Sequence, residues 1–444
     1  MKKNMSYLIL LLMMFAILPH AASGESPTTG MIEPALPSES GAAVQQGSSL
    51  PSEGIHTRFA IPNALRQSIA GDLGEKPAPS SGDEPASPAL DIGPIDAEVQ
   101  TFGGRGNERL IDVISLSDGG FLLTGNTDIE NTNESGQTQA AWALRFSQKG
   151  EKLWEYKHQN KESIGYFGMA KENPDGTILL HYVNILFNLR THSLITLSGD
   201  GDLLSDSPMS SLVYKVYRAA DGIIVDSGSG LTKYNADLSI QYELEDVTLQ
   251  HIEFSTEDGL LFYGYLLREE SNLGDAVVFK LNENGDIQWD MVIQQNARLE
   301  GCVTLSNGDY LCAGYMESDA GYECGLAARI GSDGTVRYVQ EYRRDGEHFF
   351  ISHAYELKKG ALLVGGSNKQ NHIYLLHIDE DGNEIRRYIM ELGSRVELTS
   401  TPLRVIQAGD NLFIAGDLVY YRNLLQPEDA DFFIVPLVLP AGLE

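Results

Sequence analysis

A β-propeller of seven four-stranded antiparallel blades, closed by an N-terminal strand pairing onto the last blade, is the all-β fold this sequence predicts. Three observations predict it. A strand–tight turn–strand unit recurs seven times, and a second turn follows most of the first ones about 30 residues later. The chain also stops one strand short of completing its seventh unit.

The unit reads VISLSDGGFLLTG, MAKENPDGTILLHY, VYRAADGIIVDSG, EFSTEDGLLFYGY, VTLSNGDYLCAGY, YELKKGALLVGGS and VIQAGDNLFIAGD in chain order. Its turn glycines are Gly119, Gly176, Gly222, Gly259, Gly308, Gly360 and Gly409. From first to last they span 290 residues in six intervals, about 48 residues each, which is a propeller-blade period. The second turn carries Gly150, Gly201, Gly285, Gly334 and Gly382, whereas the third unit offers KYNADLSIQYEL, with no glycine. Asp-Gly and Asn-Gly pairs tolerate the positive φ that tight hairpins demand, so every unit reads as four strands with hairpins after the first and third. The second and third units are the least regular, which leaves counts of six or eight blades open.

The ends of the chain support closure. The last unit runs into DADFFIVPLVLPAGLE, with no outermost strand. DAEVQTFGG (Asp96–Gly104) precedes the first unit and has no sheet of its own. Residues 96–101 are therefore expected to pair onto the seventh blade, removing edges that would otherwise template aggregation.

Upstream of residue 96 the texture differs. Lys2 and Lys3 precede YLILLLMMFAIL, an apolar run of 12 residues, and Ala21 and Ser23 offer small side chains for cleavage. Residues 1–23 thus read as a signal peptide, too short to span a bilayer, with no cysteine nearby for lipid attachment. Residues 24–95 are rich in Ser, Pro and Gly and read as a disordered linker, with a short helix possible at 57–74. The mature protein is expected to be secreted, soluble and monomeric, with no membrane insertion.

Charge narrows the partners. The chain has 62 acidic and 32 basic residues, a formal charge of −30. Such a field repels phosphate backbones and anionic lipid, so no nucleic-acid partner is expected. The glycines of FGGRGNE (Phe102–Glu108) resemble a phosphate loop only superficially. A strand and a hairpin follow them, with no helix N-terminus to receive an anion.

TFGGRGNERLIDVISLSDGGFLLTGNT (Thr101–Thr127) resembles the repeat of secreted bacterial β-propeller proteins, with its FGG, DGG and G-x-T in sequence. GEKLW (Gly150–Trp154) and GDIQW (Gly285–Trp289) are similar to blade motifs of quinoprotein-like propellers. The resemblance covers residues 96–444 and implies the architecture. Quinoprotein enzymes would also imply a quinone and calcium, but their adjacent cysteine pair is absent here and only two units keep the Trp.

No cofactor is expected. The acidic clusters NENGD (Asn282–Asp286), DEDGNE (Asp379–Glu384) and SGDGD (Ser198–Asp202) invite calcium. However, His377 stands where an EF-hand's first ligand belongs, and all three occupy the same hairpin column, so turn chemistry explains them. His348 with His353, and His372 with His377, are five apart and face opposite sides of a strand, so neither pair chelates one ion. Cys302, Cys312 and Cys324 satisfy either three small buried side chains or one bridge between strand neighbours plus a free thiol.

Binding is expected where connections vary in length, on the face opposite the tight hairpins. MESDAGYE (Met316–Glu323) and DLVYYRNLLQPEDAD (Asp417–Asp431) read as such loops. Tyr315, Tyr322, Tyr420, Tyr421 and Arg422 are the candidate contacts, because aromatic and Arg side chains dominate binding hot spots. The expected function is non-catalytic binding of an extracellular protein or glycan. An extracellular hydrolase or lyase acting on polysaccharide or peptide at the central channel is the alternative, and a structural role in an envelope assembly is a third. No G-x-S-x-G elbow or H-E-x-x-H helix points to catalysis.

Overall fold

The computed structural model describes residues 99–439 except 104–107, 129–138, 160–162, 187–188, 210–212, 229, 246–251, 256–260, 267–273, 319–320, 344–347, 368–369, 393–395, 399–402 and 424–425. All of these lie within the compact unit His56–Glu444. The predicted signal segment, linker and 57–74 helix, and Gly259, fall outside the described residues.

The described strands form antiparallel meanders, except Gln100–Phe102 and Val396–Leu398, which add to the last sheet from outside its meander. Residues 215–245, 252–295, 297–342 and 350–391 each form one four-stranded sheet. Residues 109–158 and 164–208 form two more, joined into an eight-stranded sheet by one parallel bridge between Gln139 and Ile164. The last meander, 404–437, supplies three strands, and its fourth is Gln100–Phe102. In that pairing Gln100 faces Ile434, Thr101 faces Phe433 and Phe102 faces Phe432. The protein is thus all-β, built from repeated four-stranded sheets in a propeller-like arrangement.

The first strands touch in succession. Arg109–Ser115 contacts Ile164–Glu172, and so on through Lys215–Ala219, Ile252–Ser255, Ala297–Thr304, Phe350–Glu356 and Arg404–Ala408, which in turn contacts Arg109–Ser115. The core lies between sheets rather than within them. Leu305, Leu311, Ile351 and Leu363, for example, interdigitate between the fifth and sixth meanders. Another cluster joins Phe121, Leu144 and Phe146 of the first meander to Phe413 and Phe432 of the last. A middle strand has a neighbouring sheet on both faces, so it is buried along nearly its whole length, as in Phe121–Asp128, where all but Asp128 are buried. An outermost strand such as Leu203–Pro208 is exposed throughout.

Most hairpins use a single five-residue turn. Gly119 N donates to Leu116 O at 2.9 Å while Leu116 N donates to Gly120 O at 2.9 Å, and the fourth residue takes a positive φ. Gly119, Gly176 and Gly308 hold that place after first strands. In the third meander the second turn has the same bonds, Leu238 N to Asn235 O and Asn235 N to Ser239 O, both 2.9 Å. Leu238 there adopts φ 62°, so the turn forms without the glycine that marks it elsewhere. Gly360 and Gly409 also have positive φ, at 79° and 58°.

Gly222 differs from its expected role. It opens the return strand, paired with Ala219, and the turn itself is Ala220–Asp221. A Cβ on Gly222 would lie 1.8 Å from the Tyr234 carbonyl oxygen, so the residue serves strand packing.

The tryptophans of the two Gly-x-x-x-Trp motifs clamp neighbouring sheets. Trp154 lies against the turn at Gly201 and donates from Nε1 to Gly199 O at 3.0 Å. Trp289 lies against Gly334 and donates to Ser332 O at 3.1 Å. Tyr338 takes the same register against Gly382, so the clamp extends beyond the units that keep Trp.

Candidate functional site

The strand ends opposite the hairpins that follow the first and third strands of each meander carry a cluster of aromatic and charged groups. Tyr315 lies on the strand Tyr310–Glu317 and faces Arg298 across the ladder, rather than standing in a loop. The Arg298 guanidinium carbon sits 4.3 Å from the centre of the Tyr265 ring of the preceding meander, within cation–π range. Burial, reinforced by Glu300 and opposed by Arg298, pushes the Tyr315 phenol up to about 12, so it remains a hydrogen-bond donor.

Tyr322 closes the five-residue turn Ser318–Tyr322 and is 41% exposed. Its ring meets His348 edge-on at 5.5 Å. The Glu323 N–H donates to His348 Nδ1 at 3.4 Å, and the Glu323 carboxylate lies 3.6 Å from the same nitrogen. Tyr322 is thus a half-open ring on a fixed support.

Tyr420, Tyr421 and Arg422 do not stand in a loop. They belong to the 13-residue strand Asn411–Asn423, which pairs with the 12-residue strand Gln426–Leu437 through to Asn423↔Gln426. Tyr420 also pairs with Val396 of a further short strand. The Val and paired Tyr of LVYYRN favour strand, and the ladder pairs on through to Asn423 and Gln426. MESDAGYE is likewise mostly strand and tight turn.

Deeper between the sheets, charged groups stitch meanders together. Asp112 accepts from Ala170 N at 2.8 Å and from Arg218 Nη1 at 3.1 Å, and Arg218 also donates to Ala170 O at 3.1 Å. Three meanders meet at that carboxylate. Lys171 Nζ donates to Ala219 O, Ala220 O and Gly222 O at 2.7, 3.1 and 3.0 Å, committing all three of its hydrogens. Tyr263 is buried in the field of Arg404, Glu300 and Arg218, and burial raises its phenol. His353 is pushed down to about 3 by burial and by Arg404.

A second histidine device escaped the sequence reading. His181 Nε2 and His192 Nδ1 lie 3.0 Å apart, with rings stacked at 5.2 Å between buried strands. Burial, with a contribution from His192, lowers His181 to about 3. The perturbed histidines are held neutral and the perturbed phenols protonated. General acid–base work calls for groups tuned toward neutrality; these histidines and phenols shift away from it, whereas burial raises Asp226 and Asp290 and lowers Lys171.

Cys302 and Cys312 face each other across the ladder and are joined by a disulfide, resolving the alternatives the sequence left open. Cys324 is buried, donates to Glu341 Oε1 at 2.8 Å, and is pushed up chiefly by burial, which withholds the thiolate a nucleophile needs. The acidic turn clusters spend their lone pairs locally. Asp379 Oδ1 accepts from Asp381 N at 3.0 Å and Asn383 N at 2.8 Å, and Asn282 Oδ1 accepts from Asn284 N and Asp286 N at 2.9 and 2.8 Å. Among the described residues no three His, Cys, Asp or Glu side chains converge as metal ligands. Nor, among them, is any helix long and apolar enough to cross a membrane.

No family model and no curated protein matches the sequence. Solved structures with similar backbones are all-β and propeller-like. The polysaccharide lyase Uly1 is 11% identical, covering 85% of this chain and 95% of its own at a TM-score of 0.45. Hsv2p of Kluyveromyces lactis is 13% identical, covering 73% and 97%, at 0.41. A protein of unknown function from Bacteroides caccae is 16% identical, covering 55% and 85%, at 0.35. Likeness at this level carries no argument about what this chain does.

Proposed function

We propose that this chain is a secreted, monomeric, seven-bladed propeller that binds an extracellular protein or glycan without catalysis. The pairing of Gln100–Phe102 with the last meander supports closure by the N-terminal strand, as do the core cluster shared by the first and last meanders and the contact of Arg404–Ala408 with Arg109–Ser115. The leader at 1–23 and the linker at 24–95 support export and a tethered, soluble domain.

One observation carries the binding reading. Tyr265, Arg298 and Tyr315 form an aromatic–guanidinium surface spanning two meanders, with the half-exposed Tyr322 on the same meander. Such groups give large contact area at small entropic cost on a rigid frame. No cofactor takes part in this reading. Neither nucleic acid nor a bilayer is a partner in this reading, given the charge of −30.

A glycan array and an extracellular-protein pull-down with the full chain test the proposal. Retention of one ligand class, weakened at least tenfold by Tyr322→Ala or Arg298→Ala in folded variants, supports it. Retention unaffected by both substitutions overturns the assigned surface.

A further inference from the structure

We propose a second binding site, on the tight-hairpin side, that takes a neutral saccharide ring: the cleft between the fifth and sixth meanders. The cleft has a volume of about 430 Å³, within the range of small-molecule sites. It stands at the opposite strand ends from Tyr322 and does not depend on the binding surface proposed above.

The cleft has a sequence origin. The first and second meanders dock through Glu172, which accepts from Ser117 N and Oγ at 2.6 and 2.9 Å, beside an Arg145–Asp118 ion pair. The fifth and sixth repeat this frame. Glu356 accepts from Ser306 N and Oγ, both at 2.8 Å, beside Arg329 Nε donating to Asp309 at 3.0 Å. What differs is the hairpin that follows the glutamate. After Glu172 the turn is Asn173–Thr177, closed by Asn173 N to Thr177 O. After Glu356 it is Leu357–Gly360, one residue shorter, closed by Leu357 N to Gly360 O at 3.1 Å. The shorter turn, through Leu357, Lys358 and Gly360, forms one wall of the cleft.

Its lining is amphipathic. The buried side chains of Leu305, Leu311, Leu357 and Ala361 supply an apolar floor. The charges around the rim largely offset one another. Arg329 is engaged with Asp309 and with Glu380 O at 3.0 Å, Glu356 with Ser306, and Asp379 with its own turn. Glu356, Asp379 and Glu380 oppose an anionic ligand, while Arg329 and Lys358 oppose a cation. A ligand with one C–H face and a rim of uncharged hydroxyls matches both floor and rim. That is a saccharide ring: Lys358 and the second amide hydrogen of Asn307, whose other one goes to Asp309 at 3.2 Å, are placed to donate to it, and Ser306 Oγ, itself donating to Glu356, to accept.

Calorimetric titration of the full chain with cellobiose, maltose and chitobiose tests this, with digalacturonate and the chitosan dimer as charged comparisons. At least one neutral disaccharide is expected to bind. Binding should weaken at least tenfold when Thr is inserted after Gly360 to restore the longer turn, and remain unchanged in Tyr322→Ala. Should the insertion prevent folding, Asn307→Leu combined with Lys358→Met at exposed positions is expected to weaken binding by the same factor. The proposal is overturned if no neutral disaccharide binds more tightly than about 10 mM. It is equally overturned if the charged sugars bind better, if binding survives the rim substitutions, or if Tyr322→Ala abolishes it.

Discussion

Leu238→Gly is expected to stabilise the protein, against the usual direction of point substitutions. Leu238 holds φ 62° in a turn whose equivalents are glycine, and its side chain is 45% exposed, so little packing is lost with it. A left-handed conformation costs a non-glycine residue about 1–2 kcal/mol. Glycine removes that cost but surrenders about 0.5–1 kcal/mol through the greater freedom of its unfolded chain. The difference leaves about 0.5–1 kcal/mol of stabilisation. Gly308→Ala is the mirror experiment, because Gly308 has φ 84° in the same turn and a Cβ there would meet nothing within 4 Å. It isolates the backbone term and should cost about 0.5–1 kcal/mol. Equilibrium urea unfolding, followed by fluorescence and circular dichroism together, reads both changes. Destabilisation by Leu238→Gly, or neutrality of Gly308→Ala, would refute the reasoning that turn geometry rather than side-chain contact governs these positions.

Other consequences follow from the same structure. Trp154→Phe and Trp289→Phe each remove one hydrogen bond to a neighbouring turn and should cost about 1 kcal/mol apiece in the same assay, additively because they clamp different sheets. Replacing both Cys302 and Cys312 by Ser opens a loop with a sequence separation of 10 and should cost about 2.5 kcal/mol, measured as a shift in the urea midpoint. His181 is lowered to about 3, so between that value and 6.5 the unfolded chain binds the extra proton and stability rises with pH. From this group alone stability at pH 5 should fall by up to about 2 kcal/mol relative to pH 7, and a folded His181→Leu variant should show a shallower slope. A slope unchanged by the substitution assigns the acid sensitivity elsewhere.

The repeat was legible because hairpins are written locally. Asp-Gly and Asn-Gly within apolar runs marked turns such as those at Gly119, Gly308 and Gly382, and the missing last strand pointed to residues 96–101, of which Gln100 and Thr101 pair with the last meander and 96–98 lie outside the described residues. Leu238 shows where that legibility stops, since neighbouring sheets hold a turn in place even when its residue disfavours the conformation. Asp417–Asp431 read as a loop because Asn, Pro and four acidic residues punctuate it, yet partner strands on both sides pair most of it. Tyr420 and Tyr421 therefore lie on a strand, whereas Tyr322 occupies a turn. The Arg298–Tyr265 stack, the His181–His192 pair and the cleft beside Glu356 depend on how meanders align with one another. A period of about 48 residues does not encode that alignment. The short turn after Leu357 is visible once the units are laid in register, but the third and seventh units are short there too, so the sequence does not single out the cleft.

The account's central claim is binding without turnover, and mass spectrometry of a retained ligand tests it most directly. The full chain would be incubated overnight with an equimolar amount of whichever glycan or peptide it retains, and the ligand recovered. An unchanged ligand mass, with retention weakened by Tyr322→Ala, is the predicted result. Shortened products whose formation requires the folded chain would contradict the claim and assign the protein a hydrolase or lyase activity.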